Sequence, residues 1–501
     1  MNASLRGKTA IVGIGSAGIG EAHGFSAMEL LGQASLKAIA DAGLKLSDVD
    51  AVFSATSSHA FPTLSVCEYL GIKPKFVDGT NVGGSSFEWH LLQATLALQA
   101  GLCDVALICY GSNQRTAGGK LVSMSEPQWH ETAYKPRHPI TSYALAASRH
   151  MHQYGTTREQ LAEVALAARG WANLNPEAFA RGPLSMDDVL AARMVSDPLS
   201  AADCCLVTDG AGACIMVRAD RARDLPNKPA YFLGAGGAQW HRSVVCMPDL
   251  TVTAASESGP RAMQMAGVSH ADIDLVMLYD AFTINTILFL EDLGFCAKGE
   301  GGRFVQDGRI APGGELAVNT NGGGLSCVHP GMYGMFLILE AVTQIRGQAG
   351  ERQLKKADIA LLHGNGGTLS SQVTAFLGSA ARFDPAPRLG KPVGPRGTPS
   401  SCSRTEVTGY PILSGISGSR ASSLLQRTKS PPGPRRAGFL LPGPTKNPSR
   451  NWSERTTASP SAHPDTQRRY PTGRPCAAHK NNRSEEHLDG HPLHARRAGL
   501  P

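Results

Sequence analysis

The sequence predicts an α/β fold built from two related halves. Residues 42–53 (AGLKLSDVDAVF) resemble residues 266–277 (AGVSHADIDLVM), and residues 104–113 (DVALICYGSN) resemble residues 358–367 (DIALLHGNGG). Each segment contains an apolar run, rich in Val, Ile, Leu and Ala, that follows a helical pattern. Continuous apolar strands that alternate with helices are typical of a parallel sheet covered on both faces. A duplicated, layered α/β core is therefore the predicted architecture.

The first helix has a clear start signal. Ser26 and Glu29 form a capping box before a helical pattern over residues 28–42. The preceding stretch, residues 13–20 (GIGSAGIG), has the G-x-G-x-x-G spacing of dinucleotide sites. However, the helix does not open at the last glycine, and no acidic residue ends a second strand at the expected distance. A glycine-rich strand is therefore favoured over a dinucleotide site.

A tight turn delivers the chain into the next helix at residues 80–101. Gly83 and Gly84 supply the turn, and Ser85 or Ser86 is expected to cap the helix that follows. Enzymes often place a nucleophile at such a strand-to-helix corner, where the helix dipole favours a developing anion. No cysteine stands at this corner.

Three regions are predicted along the chain. Residues 1–225 form the first half and include an insertion over about 114–225, which contains an amphipathic helix (REQLAEVALAARGWA) and a strand-like run (GACIMVRA). Residues 226–381 form the second half. Residues 382–501 are rich in Pro, Arg and Ser, and such a composition predicts a disordered tail.

Charge and composition restrict the ligand and the compartment. Residues 382–501 hold 20 of the 48 Lys and Arg and 7 of the 41 Asp and Glu residues, so residues 1–381 carry a formal charge of −6. The net charge of +7 therefore does not indicate a nucleic-acid ligand. The 11 cysteines include no C-x-x-C pair, which favours a reduced, cytoplasmic protein. With no apolar run of spanning length, no membrane association is expected.

Polar residues stand where strands of the second half are expected to end. Tyr279 and Asp280 follow an apolar strand, and His363, Asn365 and Gly366 follow another. The carboxyl ends of strands are where open α/β sheets bind ligands. Each has an ordinary structural alternative. Tyr279 is then a core residue, Asp280 caps the next helix, and residues 363–366 form a turn.

The segment NTNGGGLSCVHPGMYGM, residues 319–335, is dense in residues that allow close backbone approach. His329 precedes Pro330, which restricts its backbone. A histidine in a glycine-rich loop favours a site, with a buried structural histidine as the alternative. The other candidates of this loop are Asn319, Asn321, Gly322 and Gly323.

These motifs, in this order over residues 1–381, resemble the thiolase superfamily. The stretches YALAASRHMHQYGTTREQLAEVA and DCCLVTDGAGACIMV are similar to its sterol-carrier and lipid-transfer branch. The resemblance implies the thiolase fold, with two duplicated βαβαβαββ halves in a five-layered α-β-α-β-α arrangement.

The chain departs from the thiolase motifs at most catalytic positions. Gly84 stands where the resemblance places the nucleophilic cysteine, and residues 279–282 (YDAF) replace Asn-Glu-Ala-Phe. His329 and Pro330 survive from Gly-His-Pro, whereas residues 363–366 (HGNG) replace Cys-x-Gly. Acyl transfer through a thioester intermediate needs a thiolate, and carbanion formation needs a second thiol as base. Neither cysteine is in place.

The departures resemble thiolase-like retro-aldolases, which cleave a β-hydroxyacyl-CoA into a ketone or aldehyde and a shorter acyl-CoA. In this reading Tyr279 and Tyr333 are the acid and base, His329 stabilises the enolate, and Asp280 and His363 complete the catalytic set. The predicted substrate-binding residues are glycines, serines and asparagines of residues 84–86, 319–323 and 365–366. They are Gly84, Ser85, Ser86, Asn319, Asn321, Gly322, Gly323, Asn365 and Gly366.

Two alternatives stay open at this point. One is a divergent acyl-CoA acyltransferase that uses Ser85, Ser86 or a displaced cysteine. The other is a non-catalytic acyl-CoA-binding subunit. The resemblance implies no metal and no cofactor beyond coenzyme A as part of the substrate. It also implies a homodimer and a separate small partner with an OB-fold and often a zinc ribbon.

Overall fold

A nine-stranded sheet runs through the part of the chain that the computed structural model describes, residues 5–56, 59–117 and 129–381. Its strands follow the order β3-β2-β4-β7-β1-β8-β11-β10-β9, and β5 and β6 form a separate hairpin. The predicted tail, residues 382–501, lies outside the described residues. The strands are β1 (Thr9–Gly20), β2 (Ala51–Ser54), β3 (Phe76–Asp78), β4 (Val105–Ser112), β5 (Met194–Ser196), β6 (Leu199–Ser200), β7 (Asp209–Arg218), β8 (Ala230–Gln239), β9 (Leu275–Leu278), β10 (Ile359–Gly366) and β11 (Ser371–Gly378).

Helices form layers on and between the two parts of this sheet. The helices are α1 (Ala27–Asp41), α2 (Pro62–Leu70), α3 (Ser86–Gln99), α4 (Ile140–Tyr154), α5 (Arg158–Asn173), α6 (Met186–Ala191), α7 (Ala219–Ala222), α8 (Ala255–Ala266), α9 (Thr283–Asp292), α10 (Gly301–Phe304) and α11 (Gly334–Arg346). Helices α3 and α11 contact strands of both parts, so they form the central layer. Helix α1 packs on β1, β4 and β7, and α8 packs on β8 and β11. The predicted layered arrangement is confirmed.

One short strand pair joins the strands of the two halves into a single sheet. Ala10 and Ile11 of β1 pair with Tyr231 and Ala230 of β8, which joins five strands of the first half to four of the second. The predicted βαβαβαββ order holds in the first half, where the strand-like run of the insertion is β7. In the second half the third strand is reduced to a single bridge between Val276 of β9 and Val318.

Local signals explain how β1 and α1 fit together. The Ser26 hydroxyl accepts from the Glu29 N–H, and the Glu29 carboxylate accepts from the Ser26 N–H, which confirms the capping box. A Cβ atom on Gly13 would lie 2.7 Å from Cβ of Ala42, and one on Gly15 would lie 2.7 Å from the Ala38 nitrogen. The glycines of β1 therefore allow the helix to pack closely on the strand.

The described residues also bear on membrane and metal association. None of their helices is both long and apolar enough to span a bilayer. Within the same residues, no cluster of three or more His, Cys, Asp or Glu side chains is arranged to hold a metal ion.

Candidate active site

A cavity of about 590 Å³ lies where the end of β9 meets the turns that precede α3 and α11. Its wall is largely apolar and includes Ile140, Tyr143, Phe282 and Met332. Of the residues proposed from the sequence, Gly84, Tyr279, His329 and Asn365 line it. The other proposed residues do not line it: Ser85, Ser86, Asp280, Asn319, Asn321, Gly322, Gly323, Tyr333, His363 and Gly366.

Gly84 leaves space that an aromatic ring fills. A Cβ atom on Gly84 would lie 2.6 Å from both Cζ and the hydroxyl oxygen of Tyr279. Non-bonded carbon atoms pack at about 3.5–4.0 Å, so a larger residue at position 84 would displace the tyrosine. The tyrosine ring thus occupies the place of a side chain on the turn.

The Tyr279 hydroxyl is held at the wall of the cavity by backbone groups. It donates to the Gly331 carbonyl (3.2 Å) and accepts from the Tyr333 N–H (3.1 Å). Its ring lies perpendicular to His329, with the ring centroids 5.5 Å apart. Burial raises the pKa of Tyr279 well above its usual value. The side chain is therefore a neutral phenol.

His329 has a fixed backbone and an unsatisfied ring nitrogen. Its N–H donates to the Thr208 hydroxyl (3.0 Å), and its carbonyl accepts from the Gln114 side chain (2.8 Å). Among the described residues, Nε2 of His329 is buried without a hydrogen-bond partner. Burial lowers the pKa of His329 to about 4, so the ring is neutral at physiological pH. A neutral imidazole at a cavity wall can donate or accept one hydrogen bond to a ligand.

Tyr333 is fully buried behind the cavity wall. Its hydroxyl donates to Oδ1 of Asn321 (3.0 Å), which also accepts from the Gly323 N–H (2.8 Å). Its ring stacks on Phe336 at 6.1 Å. Tyr333 reaches the cavity residues through its backbone N–H, which binds the Tyr279 hydroxyl.

Asp280 binds the backbone of the glycine-rich loop. Its carboxylate accepts from the N–H groups of Gly324 (2.6 Å) and Leu325 (3.4 Å) in the π-helical turn Gly323–Cys327. A Cβ atom on Gly323 would lie 2.7 Å from Cγ of Asp280, and the φ of Gly323 is +65°. Burial raises the pKa of Asp280 to about 7, opposed by these N–H groups. The aspartate thus holds the loop that carries His329, and not the start of α9.

Asn319 and Gly322 shape the same loop. Oδ1 of Asn319 accepts from the Leu278 N–H (2.7 Å) and ties the loop to the end of β9. Gly322 has a φ of +102°, and a Cβ atom there would lie 2.7 Å from Cβ of Ala172 in α5. Both residues therefore fix the backbone conformation of the loop.

His363 has both ring nitrogens satisfied by the neighbouring strand. Nδ1 lies 2.9 Å from the Thr374 hydroxyl, and Nε2 lies 2.9 Å from Oε1 of Gln372. The ring packs against Phe289, with centroids 4.5 Å apart. Burial lowers the pKa of His363 to about 3. These contacts describe a histidine that joins β10 to β11 inside the core.

Asn365 reaches the cavity two residues further along β10. Its side chain donates to the Tyr143 hydroxyl (2.8 Å) and accepts from Gln372 (2.8 Å). Tyr143 packs on Phe282 with ring centroids 4.4 Å apart, so the amide orients an aromatic wall. Gly366 packs against the turn before α3, since its Cβ atom would lie 2.7 Å from Oγ of Ser85.

The hydroxyl groups of the two serines after Gly84 do not cap α3 but have other hydrogen-bond partners. The Ser85 hydroxyl donates to Ser371 (2.9 Å) and makes no capping bond, although Ser85 stands at the N-cap of α3. The Ser86 hydroxyl donates to the Gly83 carbonyl (2.6 Å) and accepts from the Val82 N–H (3.0 Å). The expected side-chain cap was therefore wrong, because Ser371 of β11 takes the Ser85 hydroxyl and the tight turn takes the Ser86 hydroxyl.

Cysteines do line the cavity, but as protonated thiols. Cys204 and Cys205 are both on its wall. Burial raises the pKa of Cys204 to about 12 and that of Cys205 well above its usual value. Burial likewise raises the pKa of Cys109 to about 12, and Cys109 lies away from the cavity. A thiol is a far weaker nucleophile than a thiolate.

One buried carboxyl group was not predicted from the sequence. Glu88, in the first turn of α3, is fully buried, and within the described residues neither of its oxygens has a hydrogen-bond partner. Glycines make room for it: a Cβ atom on Gly334 would lie 2.7 Å from Oε2, and one on Gly364 would lie 2.7 Å from Cδ. Burial raises the pKa of Glu88 to about 8, so the group is mostly neutral at pH 7. The helical pattern of α3 in the sequence gave no sign that Glu88 is buried.

A polar cluster on the cavity wall was also not anticipated. It comprises Glu131, His138, Ser142 and Ser243, all of which line the cavity. These residues belong to the insertion and to the segment after β8, where the sequence carries no recognisable motif. Only their spatial contact distinguishes them.

Comparisons with known proteins agree with this geometry. Residues 236–379 match the family described as "Thiolase C-terminal domain-like". The chain is 33% identical over 380 residues to a steroid side-chain-cleaving aldolase of Thermomonospora curvata, which covers 72% of this chain and 96% of that protein. It is also 33% identical over 371 residues to an acetyl-CoA acetyltransferase of Methanothermobacter thermautotrophicus, again covering 72% of this chain and 96% of that protein.

The fold is similar to that of a solved aldolase structure. The Ltp2-ChsH2(DUF35) aldolase superposes with a TM-score of 0.68 and 32% sequence identity. The match covers 75% of this chain and 99% of that chain.

Proposed function

The chain belongs to the thiolase superfamily, and we propose that it is a carbon–carbon lyase of the retro-aldol type. It cleaves a β-hydroxyacyl-CoA thioester into a ketone or aldehyde and a shorter acyl-CoA. The similarity to the steroid side-chain-cleaving aldolase and to the Ltp2-ChsH2(DUF35) aldolase supports this reaction.

The single observation that carries the proposal is the contact between Gly84 and Tyr279. The space that a side chain on residue 84 would need is filled by the ring of Tyr279, which also lines the cavity. This contact supports a reaction without a covalent acyl-enzyme on residue 84, and it provides Tyr279 as a proton-transferring group. Retro-aldol cleavage requires proton transfer and enolate stabilisation, and it requires no covalent intermediate.

The reaction moves one proton from the β-hydroxyl group to Cα. As the O–H proton leaves, the Cα–Cβ bond breaks, its electrons form the thioester enolate, and a carbonyl group forms at Cβ. Protonation of the enolate at Cα then yields the shorter acyl-CoA. A phenol with a raised pKa, as in Tyr279, suits a shuttle that accepts one proton while it gives another, because no free phenolate accumulates.

His329 supplies the stabilising hydrogen bond. Its Nε2, which is buried without a hydrogen-bond partner in the described part of the chain, donates to the thioester oxygen, on which negative charge develops. Neutral imidazole performs this role without a change of its own charge. Tyr333 fixes the Tyr279 hydroxyl through its N–H, and the proposal that its own hydroxyl also transfers a proton is tested by removing that hydroxyl.

The acyl group is a steroid or another branched side chain. Aromatic and aliphatic residues of the cavity wall, among them Ile140, Tyr143 and Phe282, suit a bulky apolar group. Coenzyme A enters as part of the substrate, and the chemistry needs no further cofactor. We place the protein in the cytoplasm, which the scattered cysteines support.

The active assembly is a homodimer that works with a small OB-fold partner. Strand β3 is an edge of the sheet, and Val77 in it is 42% exposed, which supports pairing with a second copy. The name of the similar aldolase structure joins Ltp2 with ChsH2(DUF35), which supports a separate partner. Light scattering of the full chain, alone and with such a partner, measures both associations. A monomer that stays alone in the mixture would refute them.

The decisive assay offers the full chain a tertiary β-hydroxyacyl-CoA together with an OB-fold partner. We expect a ketone and a shortened acyl-CoA in equal amounts. Tyr279→Phe removes the hydroxyl at the cavity wall and should lower kcat by about 100- to 1000-fold. Tyr333→Phe removes only the bond to Asn321 and should cost less, unless its hydroxyl is catalytic.

A second candidate function is acyl transfer, which the similarity to an acetyl-CoA acetyltransferase favours. Exchange of acetyl groups with free CoA, abolished by thiol alkylation and without ketone release, would replace the lyase proposal by this one. Binding of acyl-CoA without any turnover, with and without the partner, would indicate a non-catalytic subunit.

A further inference from the structure

Three side chains on the cavity wall form a hydrogen-bonded chain of serine, histidine and glutamate. Nδ1 of His138 lies 3.0 Å from the Ser142 hydroxyl, and Nε2 of His138 lies 2.9 Å from Oε2 of Glu131. The other glutamate oxygen, Oε1, accepts from the Ser243 hydroxyl (3.0 Å). All four residues line the same cavity as Tyr279 and His329.

The protonation of this chain follows from the donor and acceptor roles. Burial would raise the pKa of Glu131, but the bonds from His138 and Ser243 hold it below its usual value, so Glu131 is a carboxylate. A carboxylate only accepts, so in the form of His138 that acts as a base the ring proton is on Nε2, which faces Glu131. Nδ1 is then a free base that accepts the hydrogen bond of the Ser142 hydroxyl.

The cluster has little solvent around it. Ser142 is 1% exposed, and the side chains of Glu131 and His138 are 10% and 17% exposed. Serine, histidine and glutamate bonded in this order are the parts of an activated nucleophile. Ser142 also lies in the first turn of α4, where the helix dipole favours negative charge.

Helix initiation does not account for these contacts. The start of α4 is stabilised by Thr141, whose hydroxyl accepts from the Arg137 N–H (2.9 Å). The side-chain hydrogen bonds of His138 and Ser142 run to other side chains, so neither satisfies a free backbone group of the helix. Capping side chains normally bond to such groups.

We propose that Ser142 is a nucleophile that hydrolyses acyl-CoA thioesters, with His138 as its base and Glu131 as the residue that orients His138. The Ser142 oxygen attacks the thioester carbon as His138 accepts its proton. The carbon–sulfur bond breaks, and the sulfur of coenzyme A takes that proton. Water, whose proton His138 accepts, then attacks the carbonyl carbon of the serine ester. The ester C–O bond breaks, the Ser142 oxygen takes that proton, and the carboxylic acid is released.

This activity goes beyond the lyase reaction and needs neither a β-hydroxyl group nor Tyr279. Retro-aldol cleavage leaves the thioester bond intact, whereas hydrolysis yields free coenzyme A and a carboxylate. The two products separate by chromatography, so failure of one proposal is distinguishable from failure of the other.

The first experiment treats the full-length protein with a fluorophosphonate probe, which phosphonylates activated serines, followed by peptide mass spectrometry. We expect the label on Ser142. His138→Gln and Glu131→Gln should slow labelling by about 10- to 100-fold, and Ser142→Ala should abolish the label. Ser148→Ala is the matched control, since Ser148 is an exposed serine on the same helix, and its labelling should equal that of the unchanged protein.

The second experiment offers cyclohexylacetyl-CoA, which has no β-hydroxyl group. We expect equal amounts of coenzyme A and cyclohexylacetate, lost in Ser142→Ala. An unlabelled Ser142 in the unchanged, folded protein would overturn the proposal, whatever the variants do. So would labelling that is unaffected by His138→Gln in a variant whose circular dichroism matches the unchanged protein.

Discussion

His329 and His363 are two buried histidines with the same charge and opposite surroundings. Burial lowers the pKa of both, to about 4 and about 3, so both are neutral at physiological pH. His363 has a partner on each nitrogen, whereas Nε2 of His329 has none among the described residues. Burial alone therefore does not mark a functional histidine. A buried polar atom left without a partner at a cavity wall does, because leaving it so costs folding stability that binding a ligand recovers.

The largest expected effect is on turnover. His329→Ala should lower kcat for β-hydroxyacyl-CoA cleavage by about 100- to 1000-fold, because the enolate loses its hydrogen bond. His363→Ala, compared per folded molecule, should keep most of its turnover. Ketone release under saturating substrate measures both variants. Equal losses would mean that the contrast between the two histidines is not functional.

The next effect is on the free energy of unfolding, and here the substitution of His363 is expected to cost more than that of His329. His363→Leu leaves the Thr374 hydroxyl and Oε1 of Gln372 without this partner in the core, which should lower the free energy of unfolding by about 2–4 kcal/mol. His329→Leu removes an unsatisfied nitrogen and should change that free energy by less than about 1 kcal/mol. Urea unfolding of the full chain measures the difference. A larger loss in His329→Leu would contradict it.

The smallest effect is a change in acid sensitivity. An unfolded histidine binds a proton below about pH 6.5, whereas folded His363 resists protonation until about pH 3. Between these values the unfolded state binds more protons, so the stabilisation from His363 is complete above pH 6.5 and falls as the pH falls. From pH 7 to pH 5, His363→Gln should therefore lose roughly 1 to 2 kcal/mol less unfolding free energy than the unchanged protein. Identical losses would show that His363 takes up its proton in the folded state.

Much of the fold was predictable because its signals are local. The capping box of Ser26 and Glu29 needs only residues within one helical turn, and it forms as predicted. The paired segments at 42–53 and 266–277 indicated the duplication for the same reason. The Ser85 cap failed because Ser371, far along the chain, is a competing partner for its hydroxyl.

The candidate site was predictable only in part. Tyr279 was placed correctly at the end of an apolar strand, and His329 in a glycine-rich loop. Tyr333 carried the same chemical group as Tyr279, and its sequence context gave no sign that Asn321 would take its hydroxyl. Glu131, His138 and Ser142 had no motif at all. Their relation depends on the course of the insertion, which local propensities do not encode.

The amino-acid sequence alone predicted the layered α/β architecture and showed a glycine at position 84, since periodicity and residue identity can be read directly. The folded chain decided what fills the space beside Gly84, because Tyr279 enters that space from the end of a strand almost two hundred residues away. It also decided that both ring nitrogens of His363 have hydrogen-bond partners, whereas Nε2 of His329 has none within the described ranges. Hydrogen bonds extend only about 3 Å, so whether a polar group is left free depends on neighbours that only the tertiary structure brings within reach.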